Sequence, residues 1–227
     1  MRLIAVLILG LAAVAARAGL ADEPLVLPVG EYSDFATSSH SASLTDTDDP
    51  VMRKWVDNSI ENIARLVSVD RAGSHAVVEF PSARMTVKVP LGWYAIDDGE
   101  RGAAFTANED VRIIVRQLDL AFEGVKTIEE YAALKRAIQQ KRAPKARISV
   151  RRLGTGEVVN IYEAVPPRPN DRGPRAIYEV LAAHPADPAR GSQTLLGVPD
   201  GDGERYLGLL GLLMRDRVID WQPVEDN

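Results

Sequence analysis

An α+β fold, an antiparallel sheet with helices packed on it, follows from three features of the sequence. After His75 apolar and polar residues alternate at period two in one segment after another, Gly, Pro, Asn and Asp turns separate most of these segments, and two stretches carry helical spacing instead. Short turns between successive strands impose antiparallel pairing, because a parallel return needs a crossover of roughly a dozen residues or more. No repeat of about 20 to 50 residues is visible, which argues against solenoids and propellers.

The N-terminal part comes first. Residues 1–21 open with Arg2, continue through fourteen residues free of charge from Leu3 to Ala16, and reach small residues at Ala16, Ala18 and Ala21. That is the build of a secretory signal peptide, with cleavage expected after Ala18 or Ala21. A membrane anchor is the rival reading, but a span needs about 20 apolar residues and Arg17 ends this run early. Residues 22–49, rich in Ser, Thr, Asp and Ala, read as a polar tether. Asp49 and Pro50 then offer a cap and a first-turn proline, and Met52, Trp55, Val56, Ile60, Ile63 and Val67 recur at helical spacing, so an amphipathic helix is expected over 50–68.

The main domain is expected over 75–222. Val77, Val78 and Phe80 make a first strand, and Met85, Val87 and Val89 alternate with Arg84, Thr86 and Lys88 in a second. Pro90 cannot donate to a ladder and Gly92 relaxes the backbone, so the chain turns before resuming at Trp93 to Ile96. An indole at that corner closes the end of a core while its N–H seeks a backbone carbonyl. Further strands are expected at 103–106, 111–118, 147–153, 158–163, 176–181 and 194–198. Gly154, Thr155 and Gly156 read as a hairpin turn rather than a phosphate-binding loop.

Two helices complete the layers. Thr127 and Glu130 have capping-box spacing, Lys141 and Arg142 sit in the last turn, Pro144 marks the stop, and Ile128, Tyr131, Leu134 and Ile138 form the inner face. A second helix is expected to open at Asp200 to Arg205 and to turn Tyr206, Leu209, Leu210 and Leu213 inward, with a buried strand as the alternative. Gly208 and Gly211 each cost it about 1 kcal/mol relative to alanine.

The series MTVKVPLGWY, a turn, AAF, then VRIIVRQLDL and GVKTIEEYAALKRAI resembles the PsbP and DcrB-like group of α/β/α sandwich domains over roughly Ala83 to Trp221. The resemblance rests on element order, on Val89 to Trp93 and on Thr127 to Tyr131. It implies a scaffold for binding and assembly, often outside the cytoplasm, with no shared catalytic constellation.

Composition narrows the chemistry. There is no cysteine, so neither a disulfide framework nor a lipidated cysteine is available. Loss of residues 1–21 removes two arginines and moves the formal charge from −5 to −7, which argues against general nucleic-acid binding. His40, His75 and His184 lie far apart and no two have metal-ligand spacing; His40 falls in the tether, and the other two read as surface groups beside strands. Asp200, Asp202 and Glu204 resemble the start of a calcium loop, but Arg205 and Gly211 stand where that loop needs Gly and Glu, so a helix-capping turn is expected. No catalytic, cofactor-binding or metal residue is assigned, and no cofactor is expected.

A distribution of basic residues remains. Arg84 and Lys88, Arg112 and Arg116, and Arg147 and Arg151 take alternate strand positions, so neighbouring strands would assemble them into a stripe for an anion or an acidic partner. The competing reading is ordinary polar-face residues. The expectation is an exported, non-enzymatic binding or assembly module, periplasmic or secreted, with an envelope protein or membrane surface as partner. One alternative is an envelope hydrolase, which needs two or more of His75, His184, Asp97, Asp98 and Glu179 to converge in a pocket. The other is a lipid or small-ligand carrier, which needs a large apolar cavity below Trp93 or between sheet and helix.

Overall fold

The structure, a computed structural model, describes residues 24–37, 63–168 and 171–221. In chain order the strands are β1 (Arg65–Asp70), β2 (His75–Phe80), β3 (Met85–Pro90), β4 (Tyr94–Asp97), β5 (Gly102–Phe105) and β6 (Arg112–Asp119). The helix α1 (Ile128–Arg142) follows, then β7 (Arg147–Arg152), β8 (Val158–Val165), β9 (Arg175–Ala183), β10 (Arg190–Pro199), the helix α2 (Gly203–Asp216) and β11 (Val218–Ile219). They form two antiparallel sheets, one ordered β1-β2-β3-β11 and the other β4-β5-β6-β10-β9-β8-β7.

The Pro90 to Trp93 corner is where the chain leaves the small sheet for the large one. Trp93 is fully buried there, and its indole N–H donates to the Phe35 carbonyl at 3.0 Å. Its core joins both sheets to α2: Phe80, Met85 and Val87 from the small sheet, Ile113, Val180 and Leu196 from the large one, and Leu209, Leu210 and Leu213 from the helix. The last helix is thus a helix, and its two glycines have a packing reason. A Cβ on Gly211 would lie 2.1 Å from the Pro28 carbonyl oxygen, and one on Gly208 would lie 3.2 Å from the Gly30 nitrogen.

Residues 24–37 lie across α2 as a strap, which corrects that part of the tether expected over 22–49; residues 22, 23 and 38–49 lie outside the described residues. Leu25 bridges Leu153, Tyr32 and Phe35 are buried, Tyr32 donates to Asp216 at 3.1 Å, and the Thr37 amide donates to the Leu91 carbonyl at 3.1 Å. Polar composition across the whole stretch conceals four apolar anchors at Leu25, Leu27, Tyr32 and Phe35. The expected helix over 50–68 also needs correction at its end. Its residues up to 62 lie outside the described residues, whereas Arg65 to Ser68 belong to β1, an edge strand held to β2 through a turn in which Gly73 N–H donates to Asp70. The leader expected over 1–21 lies outside the described residues; among those described, no helix is long and apolar enough to cross a membrane.

On the opposite face of the large sheet, α1 carries the chain from the interior strand β6 to the far edge at β7. Thr127 caps it by accepting from the Glu130 amide at 3.2 Å. The Glu130 carboxylate reaches back to the Lys126 amide at 2.7 Å, one residue before the amide a capping box would use. Ile128, Tyr131 and Ala132 are its buried residues, while Leu134 and Ile138 are half-buried, so α1 covers the sheet at its N-terminal half more fully than at its C-terminal half.

Candidate anion-binding site

Cross-strand register sets which side chains meet beneath α1, because paired residues share a face. One row runs Arg112, Gly197, Ile177 and Tyr162 from β6 to β8; the next runs Ile114, Leu195, Glu179 and Asn160; the third runs Arg116, Gln193, Leu181 and Val158. The layer is polar at its centre. Glu179 is fully buried, and its carboxylate accepts from Tyr162 Oη at 2.8 Å, from Asn160 Nδ2 at 2.9 Å and from Gln193 Nε2.

Each amide is in turn polarised by an arginine. Arg116 Nε donates to Gln193 Oε1 at 2.6 Å, and Arg136 Nη1 donates to Asn160 Oδ1 at 2.8 Å. Positive charge thereby reaches Glu179 through two amide dipoles, one on each carboxylate oxygen, which satisfies a buried acceptor without placing a cation against it. Arg116 also donates to the Tyr131 hydroxyl. Burial pushes the Tyr131 phenol up to about 12 despite the nearby Arg116 charge, and burial together with the Glu179 charge raises Tyr162 still further. Both tyrosines therefore stay protonated across the physiological range, as Tyr162 must in order to donate.

Beyond this layer α1 leaves the sheet uncovered, and a cavity of about 260 Å³ opens. Ile114, Ile177, Leu195 and Val165 give it apolar walls, and Arg112, Arg142, Arg168 and Arg175 surround it with Asp171 as the one lining carboxylate. Val165 reaches this face through a bulge: Tyr162 pairs with Ile177, yet it is Val165 and not Ala164 that pairs with Arg175. The extra residue reverses the side on which Val165 falls, and Ala164 takes a left-handed φ of 52° to allow it. Gly197 adds no side chain to the floor; a Cβ there would meet only the Arg175 guanidinium, at 3.4 Å or more.

The arginines differ in how far they are committed. Arg175 is held by Asp171 at 3.0 Å and by the Asp110 carbonyl at 2.9 Å. Arg112 uses Nη2 on Glu109 at 2.7 Å and lies 3.5 Å from Asp171, while its buried Nε has no hydrogen-bond partner among the described residues. Arg142 and Arg168 form no side-chain ion pair among the described residues. Burial works to raise the Asp171 carboxyl, but the Arg168 amide and the charges of Arg175, Arg112 and Arg168 outweigh it and hold the group below the usual carboxylate range.

The basic residues singled out in the sequence do not form one stripe. Arg84 lies in the turn before β3 and pairs with Asp220, and Lys88 lies 3.5 Å from Asp216; both belong to the small sheet. Arg112 and Arg116 lie beneath α1, one in the cavity wall and one in the buried layer. Arg147 and Arg151 sit on β7, with three strands between it and β6, and their register places them on the other face, with Arg147 paired to Glu163 at 3.4 Å. The arginines that do assemble come from two strands, a helix and a loop, so no single periodicity could reveal them.

The residues required by a hydrolase are set apart. His75 is buried against Tyr32 with ring centroids 4.9 Å apart, and His184 meets Trp221 edge-on at 4.8 Å, so neither is the surface group expected. Asp97 accepts from the amides of Ser82 and Gly99, Asp98 holds Arg101, and Glu179 is sealed under α1. His40 lies outside the described residues. The Asp200 to Asp202 turn does precede a helix, though the Asp202 side chain makes no capping bond, and no cluster of metal-ligating residues is present among the described residues.

No family model matches the chain, and no curated protein matches it. Among solved structures it is similar to the Ran-binding protein Mog1p of Saccharomyces cerevisiae, with a TM-score of 0.45 and 13% identity over 64% of this chain and 95% of that one.

Proposed function

We propose that this protein is an exported, non-catalytic binding module of the cell envelope, built on a PsbP/DcrB-like sandwich, whose cavity beneath α1 holds an anionic group of its ligand or partner. The observation that carries this reading is the charge around that cavity: among the described residues four guanidinium groups line it against one lining carboxylate, with Glu109 held to Arg112 just outside, on a chain whose overall charge is negative. Arg175 is buried and Arg112 half-buried over the apolar floor while Arg142 and Arg168 stand exposed at the rim, an arrangement that favours a partly buried anion, and the planar donors suit carboxylate and phosphate oxygens. The leader-like residues 1–21 support export, which places the partner in the envelope or at a membrane surface.

Two experiments test the two halves. N-terminal sequencing of protein from the envelope fraction should begin after Ala18 or Ala21; an intact N-terminus would remove export. Retention on an immobilised polyanion should fall steeply with salt and should be lost in the Arg142→Glu/Arg168→Glu double variant. Retention that this variant leaves unchanged would remove the cavity from the account.

A further inference from the structure

The geometry points to a small amphipathic anion as the ligand of the α1 cavity: a carboxylate or phosphate carrying a short apolar chain or ring, its head among Arg112, Arg142 and Arg168 and its tail over Ile114, Ile177 and Leu195. This rests on the anion-binding reading above and narrows it.

Size is the first argument. A cavity of about 260 Å³ lies just below the usual range of small-molecule sites, roughly 300 to 1,000 Å³, and is too confined for a folded surface. Lining chemistry is the second. A site for inorganic phosphate alone has no use for an apolar floor of Ile114, Ile177, Leu195 and Val165, and a site for a neutral lipid has no use for four guanidinium groups. The third is donor supply. Arg112 keeps a buried Nε unpartnered among the described residues, and a buried donor left unmatched is costly until something accepts from it.

The backbone is shaped around the same volume. Gly197 lies mid-strand in β10, directly between Arg112 and Ile177 in the register, where a glycine weakens a strand and marks close approach by another group. At the other glycine of the same strand the space is filled by protein: a Cβ on Gly191 would lie 2.8 Å from the Ile128 side chain. Over Gly197 the first atoms met belong to Arg175, and the rest of the space is cavity. The bulge at Ala164 adds Val165 to the same wall at the cost of a left-handed alanine, and strain of that sort gathers at ligand sites.

The test is calorimetric titration of the protein, as the expressing cell processes it, with octyl phosphate, octanoate, octanol, inorganic phosphate and anionic phospholipid vesicles. One or both octyl anions should bind saturably, and octanol and inorganic phosphate at least tenfold more weakly; the stronger octyl anion identifies the head group. Gly197→Val, which plugs the floor beside the Arg175 guanidinium without removing a charge, and Arg142→Glu/Arg168→Glu, which changes exposed residues, should each weaken binding at least tenfold. Circular dichroism establishes that each variant is folded, and the exposed double variant serves alone if Gly197→Val is not. Equal binding of octanol, equal binding of inorganic phosphate, binding to vesicles alone, or octyl-anion affinity unchanged in the folded variants would overturn the inference. If none of the small probes binds while salt-sensitive, Arg142/Arg168-dependent polyanion retention persists, the amphiphile is wrong and the anion-binding reading stands.

Discussion

The two faces of the seven-stranded sheet solve the same problem in opposite ways. Toward α2 and the small sheet the strands present Ile113, Val115, Val180, Leu196 and Val198, and the contact is dry and closed by Trp93. Toward α1 the same strands present Arg116, Gln193, Glu179, Asn160 and Tyr162, and then an open cavity lined by arginine. A buried carboxylate held by relayed hydrogen bonds is no cheaper than a packed apolar side chain, since ionic groups in an interior roughly break even at best. The difference therefore teaches that the larger apolar core lies on the α2 face, that a smaller one around Leu120, Ile128, Tyr131 and Leu181 seats the start of α1, and that the polarity beside it serves to hold side chains in place around a site.

Substitutions can break or sharpen that contrast, and the largest effect should come from the dry face. Trp93→Ala removes the largest buried side chain and its bond to the Phe35 carbonyl, and should cost about 3 to 5 kcal/mol in urea unfolding. Loss below about 1 kcal/mol would mean the corner does not close the core. Next, Glu179→Leu leaves the Tyr162 and Gln193 donors without their acceptor and should cost about 1 to 3 kcal/mol. A neutral or stabilising result would show that the polar layer costs the fold more than it returns, which would strengthen the case that it is kept for binding.

Gly211→Ala drives a methyl group against the Pro28 carbonyl and should cost about 1 to 3 kcal/mol, with faster proteolysis confined to residues 24–37. Unchanged protease sensitivity there would mean the strap contributes nothing. For pH, Asp171 has its folded pKa held below the unfolded value, so its contribution is present above roughly pH 4 and is lost as pH falls through the folded value. Asp171→Asn should therefore flatten the decline of the urea midpoint between about pH 5 and pH 2.5; an identical decline would contradict the ion-pair assignment. The smallest stability change belongs to Arg142→Glu/Arg168→Glu, within about 0.5 kcal/mol of the parent because both residues are exposed. A larger loss would make these arginines structural.

Much of the dry half, and the start of α1, was legible in the sequence, since one buried face and one polar face leave a period of two, and caps and prolines punctuate helices. Alternation in Met85 to Val89, the Pro90 to Trp93 corner and the Thr127 cap all translate directly into structure. The α1 side was not legible for the same reason. Asn160, Glu179 and Gln193 occupy the polar phase of their strands, and nothing local tells a solvated face from one roofed by a helix that the chain supplies from elsewhere. Glu179 in IYEVLAA reads as an outward residue until the register places Asn160 beside it. The strap failed differently: four anchors spread through residues 24–37 have no period, and their partners, among them Leu153, Trp93 and α2, lie far along the chain. The cavity arginines come from β6, α1, β9 and the β8–β9 connection, so only their meeting in space defines them.

The most direct test of the division between the two faces is an amide chemical-shift titration with octyl phosphate, using inorganic phosphate as control. Shifts should concentrate at Arg112 to Ile114, Leu195 to Gly197, Arg175 to Ile177 and Gln139 to Ala143, leaving Val87 to Trp93 and Leu209 to Leu213 unmoved. Shifts centred on α2 and the Trp93 corner, or none beyond those of the phosphate control, would contradict the account.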